Sequence, residues 1–471
     1  MAKGSLGFWV LTALVVGNMV GSGIFMLPSD LAKAASPAGV LLAWMFTGVG
    51  ILFVALVFGH LAVKRPDMTG GPQVYATGIF PEGTNLSRLS GYFVTWGYWV
   101  ANIAGNAAVI TSLAGYLSTF FPILNSDALI AEGYGIRLTV GRLVTFLVCS
   151  ALLWGINYLI LNGVEGAGKV NFVATFAKVA GFVLFIFATL TTFQLSHLIP
   201  FAEPITDADT GAKVGLLGQL NHAALSTLWA FVGVESAVVF SSRAKRMIDV
   251  KRSTIAGLLI AMLIYIAITL LVMGSLTHSR LTASSKPLVD ALTEAIGPAG
   301  GYLLAVLAII CLLGSTIGWI LLSAEVPYQS AKQGLFMKSF AKENAKGTPV
   351  KSLTITNIAT QFLLLSTISK SIADAFSFII TIATLAYLLP YLVTTIFQVK
   401  GVIDGSLATG RERWREGLVG FLGMAYSIYV IIAGTSDLST FLWGVCFICA
   451  GVVFFTLIIK NDRALAIEKN G

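Results

Sequence analysis

Twelve apolar stretches, each roughly 18–25 residues long and able to cross a ~30 Å hydrocarbon layer, leave this chain few folds to choose from. They run at about 8–28, 39–63, 90–120, 140–161, 169–193, 221–241, 254–276, 302–331, 352–369, 375–399, 416–434 and 439–459. Inside lipid every backbone N–H and C=O must find a partner within the protein, so such stretches become helices. Composition agrees, because 56% of the 471 residues are hydrophobic and only 11% are charged, too apolar for an ordinary soluble domain. The expectation is an all-α membrane protein of twelve transmembrane helices.

The net charge of +8 reads as a topology signal and not as a nucleic-acid footprint. Lys64, Arg65, Arg243, Lys245, Arg246, Lys332, Lys338, Arg411, Arg413 and Arg415 fall in connections on one side of the spans. The other side is sparse, with Arg137, Arg142 and Lys213 among its few cations. The positive-inside rule then places both termini in the cytoplasm. No cleavable signal precedes the first span, which runs directly into a glycine break. The expected setting is the cell inner membrane, as a multi-pass protein in contact with lipid and small solutes. No nucleic-acid partner is expected, and a homodimer is compatible with this layout.

Cys149, Cys311, Cys446 and Cys449 all fall within spans. Cys446 and Cys449 have a zinc-motif spacing but no second ligand pair nearby, so they read as small residues of a lipid-facing helix. His60 and His222 are isolated at helical spacing. Neither a metal centre nor a cofactor is expected, and no nucleotide loop or catalytic triad is visible.

Spans one and six are interrupted at matching depths. The first contains Asn18-Met19-Val20-Gly21-Ser22-Gly23 and the sixth Trp229-Ala230-Phe231-Val232-Gly233-Val234-Glu235-Ser236. Each opens a group of five spans, and an odd number forces the second group to be inverted relative to the first. The layout is a leucine-transporter-like 5+5 inverted repeat plus two extra helices. Residues 1–400 form the transport core, with repeats at about 8–193 and 221–399, and 401–471 hold the last two helices and the C-terminus.

Helices that unwind inside a bilayer free backbone groups that can hold a charged solute. At Gly21-Ser22-Gly23 the freed N–H groups would favour a carboxylate, with Ser22 and Asn18 as further donors. The competing reading is a small-residue packing surface. At the second break, the carbonyls around Val232 and Gly233 would accept from an ammonium group, and Trp229 offers a π-face to a cationic side chain. Glu235 reads either as a gating carboxylate or as a structural partner of the unwound helix. Lys178 and Glu325 are the other charges deep in spans. Lys178 shares a face with Asn171 and Thr175 and reads as a fixed charge or as a structural group. Glu325 is assigned to an inner vestibule. On span three, Tyr98, Asn102 and Asn106 share a face at four-residue spacing, where asparagines also commonly tie helices together.

The stretches VVGNMVGSGIFMLP, GYWVANIAGNAA, TLWAFVGVESAVVFSSRAKR, GWILLSAEVPYQSAKQGLF and LPYLVT resemble the amino acid–polyamine–organocation superfamily, and within it the basic amino acid antiporters. The chain is most similar to the bacterial arginine–ornithine exchangers. That resemblance implies a carboxylate site at Gly21, Ser22 and Gly23, Trp229 as an aromatic gate on a guanidinium, and Val232 as a carbonyl ligand of the α-amino group. It implies gating roles for Glu235 and Tyr98, a second aromatic wall at Trp319, and substrate contacts at Asn106 and Thr381. Lys178 matches a span-five lysine that fills a sodium position in some sodium-independent relatives. Met19 and Asn102 depart from the related arginine–agmatine exchanger, which has isoleucine and cysteine there. Both would touch the substrate and bear on its identity. The function expected is exchange of cationic amino acids, arginine for ornithine, by alternating access. The alternatives are a proton-coupled lysine or arginine permease, or an exchanger of another amino acid for its decarboxylated amine. An enzyme is not expected. A sensor would need an output domain, and a channel has little use for paired helix breaks.

Overall fold

The computed structural model describes residues 6–68, 71–133, 136–162, 167–206, 211–239, 241, 244–344, 348–434 and 438–470. In chain order the helices are α1 (Phe8–Met19), α2 (Gly23–Ala34), α3 (Pro37–Lys64), α4 (Pro72–Thr77), α5 (Asn85–Leu117) and α6 (Val140–Leu161). There follow α7 (Ala167–Thr189), α8 (Leu216–Ala230), α9 (Ser236–Val239), α10 (Met247–Ser275), α11 (His278–Ala283) and α12 (Pro287–Ile296). The last six are α13 (Pro298–Lys332), α14 (Val350–Leu364), α15 (Ser366–Ser369), α16 (Ile372–Ile403), α17 (Gly410–Ala433) and α18 (Leu438–Asn470).

Seven of these, α3, α5, α6, α10, α13, α16 and α17, are each long and apolar enough to cross a membrane. The α1–α2 pair forms an eighth candidate, bent by 47° at its break. The remaining expected spans coincide with α7, α8–α9, α14–α15 and α18. Two of the connections carry short strand pairs. Leu129–Gly133 pairs antiparallel with Ile136–Thr139, and Ile205–Thr206 with Lys213–Val214.

α5 is the axis of the bundle. Of its apolar window, 94% is buried against protein, compared with 33% for α6, so α6 lies at the periphery where α5 faces other helices. Ala101, Ala104, Gly105, Ala107 and Ala108 keep α5 slim, and small residues let neighbouring backbones approach closely in a membrane. α16 and α13 pack against it from two sides. Cys446 and Cys449 are exposed on α18, where a lipid-facing surface would lie, whereas Cys149 and Cys311 are buried.

Candidate functional site

The two helix breaks touch. α8 stops at Ala230, and five residues of turn separate it from α9. Gly233 within that turn has φ +105°, a conformation that side chains disfavour. A methyl added there would stand 3.1 Å from the Asn18 carbonyl carbon and 3.2 Å from the Met19 nitrogen. Glycine therefore serves both the turn and the close approach of one broken helix to the other. Asn18 Nδ2 donates to Ser236 Oγ at 2.8 Å and completes the junction.

Beside the junction lies a cavity of about 20 Å³, room for about one water molecule. Asn18, Met19, Gly21, Ser22, Gly23, Trp229, Val232 and Trp319 line it, together with Gly105 and Val109 of α5. Eight residues expected at a substrate site from sequence thus surround one closed space. Ser22 stands at the N-cap of α2, and its side chain makes no capping bond. The first N–H groups of a helix lack intrahelical partners, so this wall of the cavity is electropositive. Trp229 bridges to the opposite side. A methyl at Gly23 would stand 3.3 Å from its Cδ1, and one at Gly105 3.3 Å from its Cη2.

Two charged side chains hold the breaks. Lys178 Nζ, on α7, donates to the Gly17 carbonyl at 2.9 Å. Gly17 lies in the last turn of α1, where carbonyls lack intrahelical partners and the helix dipole is negative. The side chains of Asn171 and Thr175, expected to share a stripe with Lys178, lie outside the described residues. Glu235 is 1% exposed and accepts from Tyr98 Oη at 3.1 Å, Tyr391 Oη at 2.8 Å and the Gly233 N–H at 3.1 Å. It does not line the cavity. Its carboxylate ties the second break to α5 and α16.

The other expected residues are placed as follows. Asn102 is buried, donates to the Tyr98 carbonyl at 2.6 Å and accepts from Tyr387 Oη at 3.1 Å. It orients an aromatic side chain and, in this conformation, stays off the cavity wall. Asn106 donates to Ser323 Oγ at 2.8 Å, linking α5 to α13, and its Oδ1 has no partner among the described residues. Thr381 spends its hydroxyl on the Ser377 carbonyl of its own helix at 2.9 Å. Glu325 lies away from the cavity and pairs with Gln329 one turn along α13.

Sequence reasoning missed Tyr387 and Tyr391. The ring of Tyr387 meets Tyr98 edge-on at 5.5 Å and lies 6.4 Å from Trp229. Their four-residue spacing around Pro390 was the available signal, because it puts both hydroxyls on one face of an otherwise apolar helix.

Together these features define a class: a multi-pass helical membrane protein with a small cavity between two interrupted helices. A family model described as amino acid permease matches residues 6–458. A "Putative arginine/ornithine antiporter" of Bacillus subtilis (strain 168) is 50% identical over 454 residues, 96% of either chain. An arginine/ornithine antiporter of Pseudomonas aeruginosa is 32% identical over 432 residues, 90% of this chain and 85% of its own. An arginine/agmatine antiporter of Chlamydia abortus is 31% identical over 463 residues, 98% of this chain and 91% of its own. The chain belongs to the amino acid permease family.

Proposed function

We propose that this protein exchanges cationic amino acids, arginine against ornithine, across the cell membrane by alternating access. The observation that carries this reading is the junction of two broken helices around one cavity, with a helix N-terminus on one wall and Trp229 on another. The relatives described as arginine/ornithine antiporters supply the solute pair.

In this reading the N–H groups of Ser22 and Gly23 and the Ser22 hydroxyl hold the substrate carboxylate. The Val232 carbonyl accepts from the α-ammonium, and the side-chain cation stacks on Trp229. Trp319 closes the wall opposite. Lys178 acts as a fixed positive charge at the first break, Glu235 fastens the gate through Tyr98 and Tyr391, and Glu325 lies in an inner vestibule. The cavity as it stands is far smaller than an amino acid, so binding requires the helices around it to part. Asn102, Asn106 and Thr381 would then come into reach of the solute. Twelve spans in a 5+5 inverted repeat plus two, with both termini cytoplasmic, give the topology, which is compatible with a homodimer.

The relatives described as arginine/agmatine antiporters favour a second reading, arginine against its decarboxylated amine. Met19 lines the cavity, so of the two departures from such an exchanger it is the one placed to discriminate between solutes. The test is uptake of labelled arginine into proteoliposomes loaded with ornithine, with agmatine or with buffer. Ornithine loading should give the fastest uptake. Equal uptake into empty and ornithine-loaded vesicles would remove the exchange reading, and preference for agmatine would select the second.

A further inference from the structure

His60 is 3% exposed near the end of α3 that carries Lys64. Sequence spacing gives it no partner, but the fold supplies three from the far end of the chain. Nδ1 stands 2.9 Å from Gln398 Oε1 on α16. The Gln398 amide nitrogen points the other way, 3.4 Å from the Glu416 carbonyl and 3.5 Å from Glu416 Oε2. That network assigns the amide oxygen to the histidine, and hence the ring proton to Nδ1.

Nε2 then carries a lone pair, is buried, and has no hydrogen-bond partner among the described residues. It faces Glu412 Oε1 at 3.7 Å, while Glu416 Oε2 lies 3.9 Å from Nδ1. One donor atom from each of His60, Glu412 and Glu416 lies within 4.8 Å of the other two. A nitrogen lone pair aimed at a carboxylate oxygen is unfavourable unless something positive lies between them. A separation of 3.7 Å is too long for a direct hydrogen bond. Two coordination bonds of about 2.0–2.2 Å to one ion span such a gap at an open angle.

The remaining atoms of these side chains are already secured. Glu412 Oε2 accepts from Lys64 Nζ at 2.9 Å, and Glu416 Oε1 accepts from Arg415 at 2.9 and 3.1 Å. His60 and Glu412 thus each have one atom held from behind and another without a hydrogen bond, and Glu416 Oε2 keeps only the long 3.5 Å contact from the Gln398 amide. Metal ligands are oriented by outer bonds of this kind. The Glu412 side chain is 34% exposed, which leaves an entry path from solvent.

We propose that His60, Glu412 and Glu416 form a site for a divalent cation of the zinc class, which fastens α17 to α3 and α16. One imidazole and two carboxylates with an open fourth position suit such an ion, whereas magnesium would demand six oxygens. The site is separate from the cavity between the broken helices and does not depend on which solutes are exchanged.

The test uses the purified full-length protein in detergent, stripped with a chelator and titrated with zinc chloride in a calorimeter. The wild type should bind one more zinc ion per chain than His60→Ala, so that zinc on other histidines cancels in the difference. Glu416→Gln and Glu412→Gln should each weaken that ion at least tenfold. Zinc should raise the thermal midpoint of the wild type and leave that of His60→Ala unmoved, and excess magnesium should not compete. Equal stoichiometry and affinity in wild type and His60→Ala would overturn the proposal. Should His60→Ala fail to fold, the partly exposed Glu412→Gln carries the same comparison, and unchanged zinc binding there would overturn it equally.

Discussion

The two helix breaks are held by opposite chemistry. At the first, a cation reaches a backbone carbonyl, with Lys178 Nζ 2.9 Å from Gly17 at the negative end of α1. At the second, an anion gathers donors, with Glu235 taking two tyrosine hydroxyls and the Gly233 N–H. Lys178 is only partly buried and has one hydrogen bond among the described residues, whereas Glu235 is enclosed and has three donors. The first break is therefore held by one charged side chain beside the Asn18–Ser236 bond. The second is knotted into α5 and α16 and moves only with them.

The sharpest test of this contrast is Lys178→Ala. A charge at that depth costs about 2.5 kcal/mol or more on insertion scales, so removing it should not harm folding. Exchange in proteoliposomes should nevertheless be lost, while Lys178→Arg keeps part of it. Full activity of Lys178→Ala would leave the first break without a holder.

Glu235→Ala should do the reverse and act mainly on stability. It leaves three buried donors without their acceptor, each costing about 1–3 kcal/mol. Its thermal midpoint in detergent should fall well below that of Lys178→Ala. If the two variants melt together, the distinction between a pin and a knot collapses.

Trp229→Ala should weaken arginine binding by about 1–2 kcal/mol, with Trp229→Phe between it and the wild type. Calorimetry on the solubilised protein would read this directly, and an unchanged affinity in the alanine variant would make Trp229 a packing residue only. The smallest effect is expected for Tyr387→Phe. It removes the bond to Asn102 and should lower stability by about 0.5–1.5 kcal/mol, leaving the Glu235 knot in place. A larger loss would mean that Asn102 and Glu235 act as one unit.

Much of this site was legible before any coordinates. Gly21, Ser22, Gly23, Trp229 and Val232 stand out because they fall at breaks of matching depth in two spans, the second with a tryptophan near mid-span. These five fell on the cavity wall, whereas Gly233 and Glu235 of the second break did not. Tyr387, Tyr391, Gly105 and Val109 were not legible, because aromatic and small residues in an apolar helix look like ordinary packing. Asn102 shows the opposite limit. Its face on α5 was read correctly, but only the fold reveals that Tyr387 takes its carbonyl oxygen. The partners of His60 lie some three hundred and fifty residues downstream, out of reach of any spacing rule.

Trp229 has one more consequence. Its indole reaches from the start of α2 to the middle of α5, with a glycine at either end and no slack for even a methyl group. The ring is therefore a gauge block, and its length sets how far apart those two helices stand when the cavity is shut. A shorter side chain would let them collapse or leave a void, and a methyl at either glycine would wedge the shut form ajar. Gly23→Ala and Gly105→Ala would thus tilt the population of shapes.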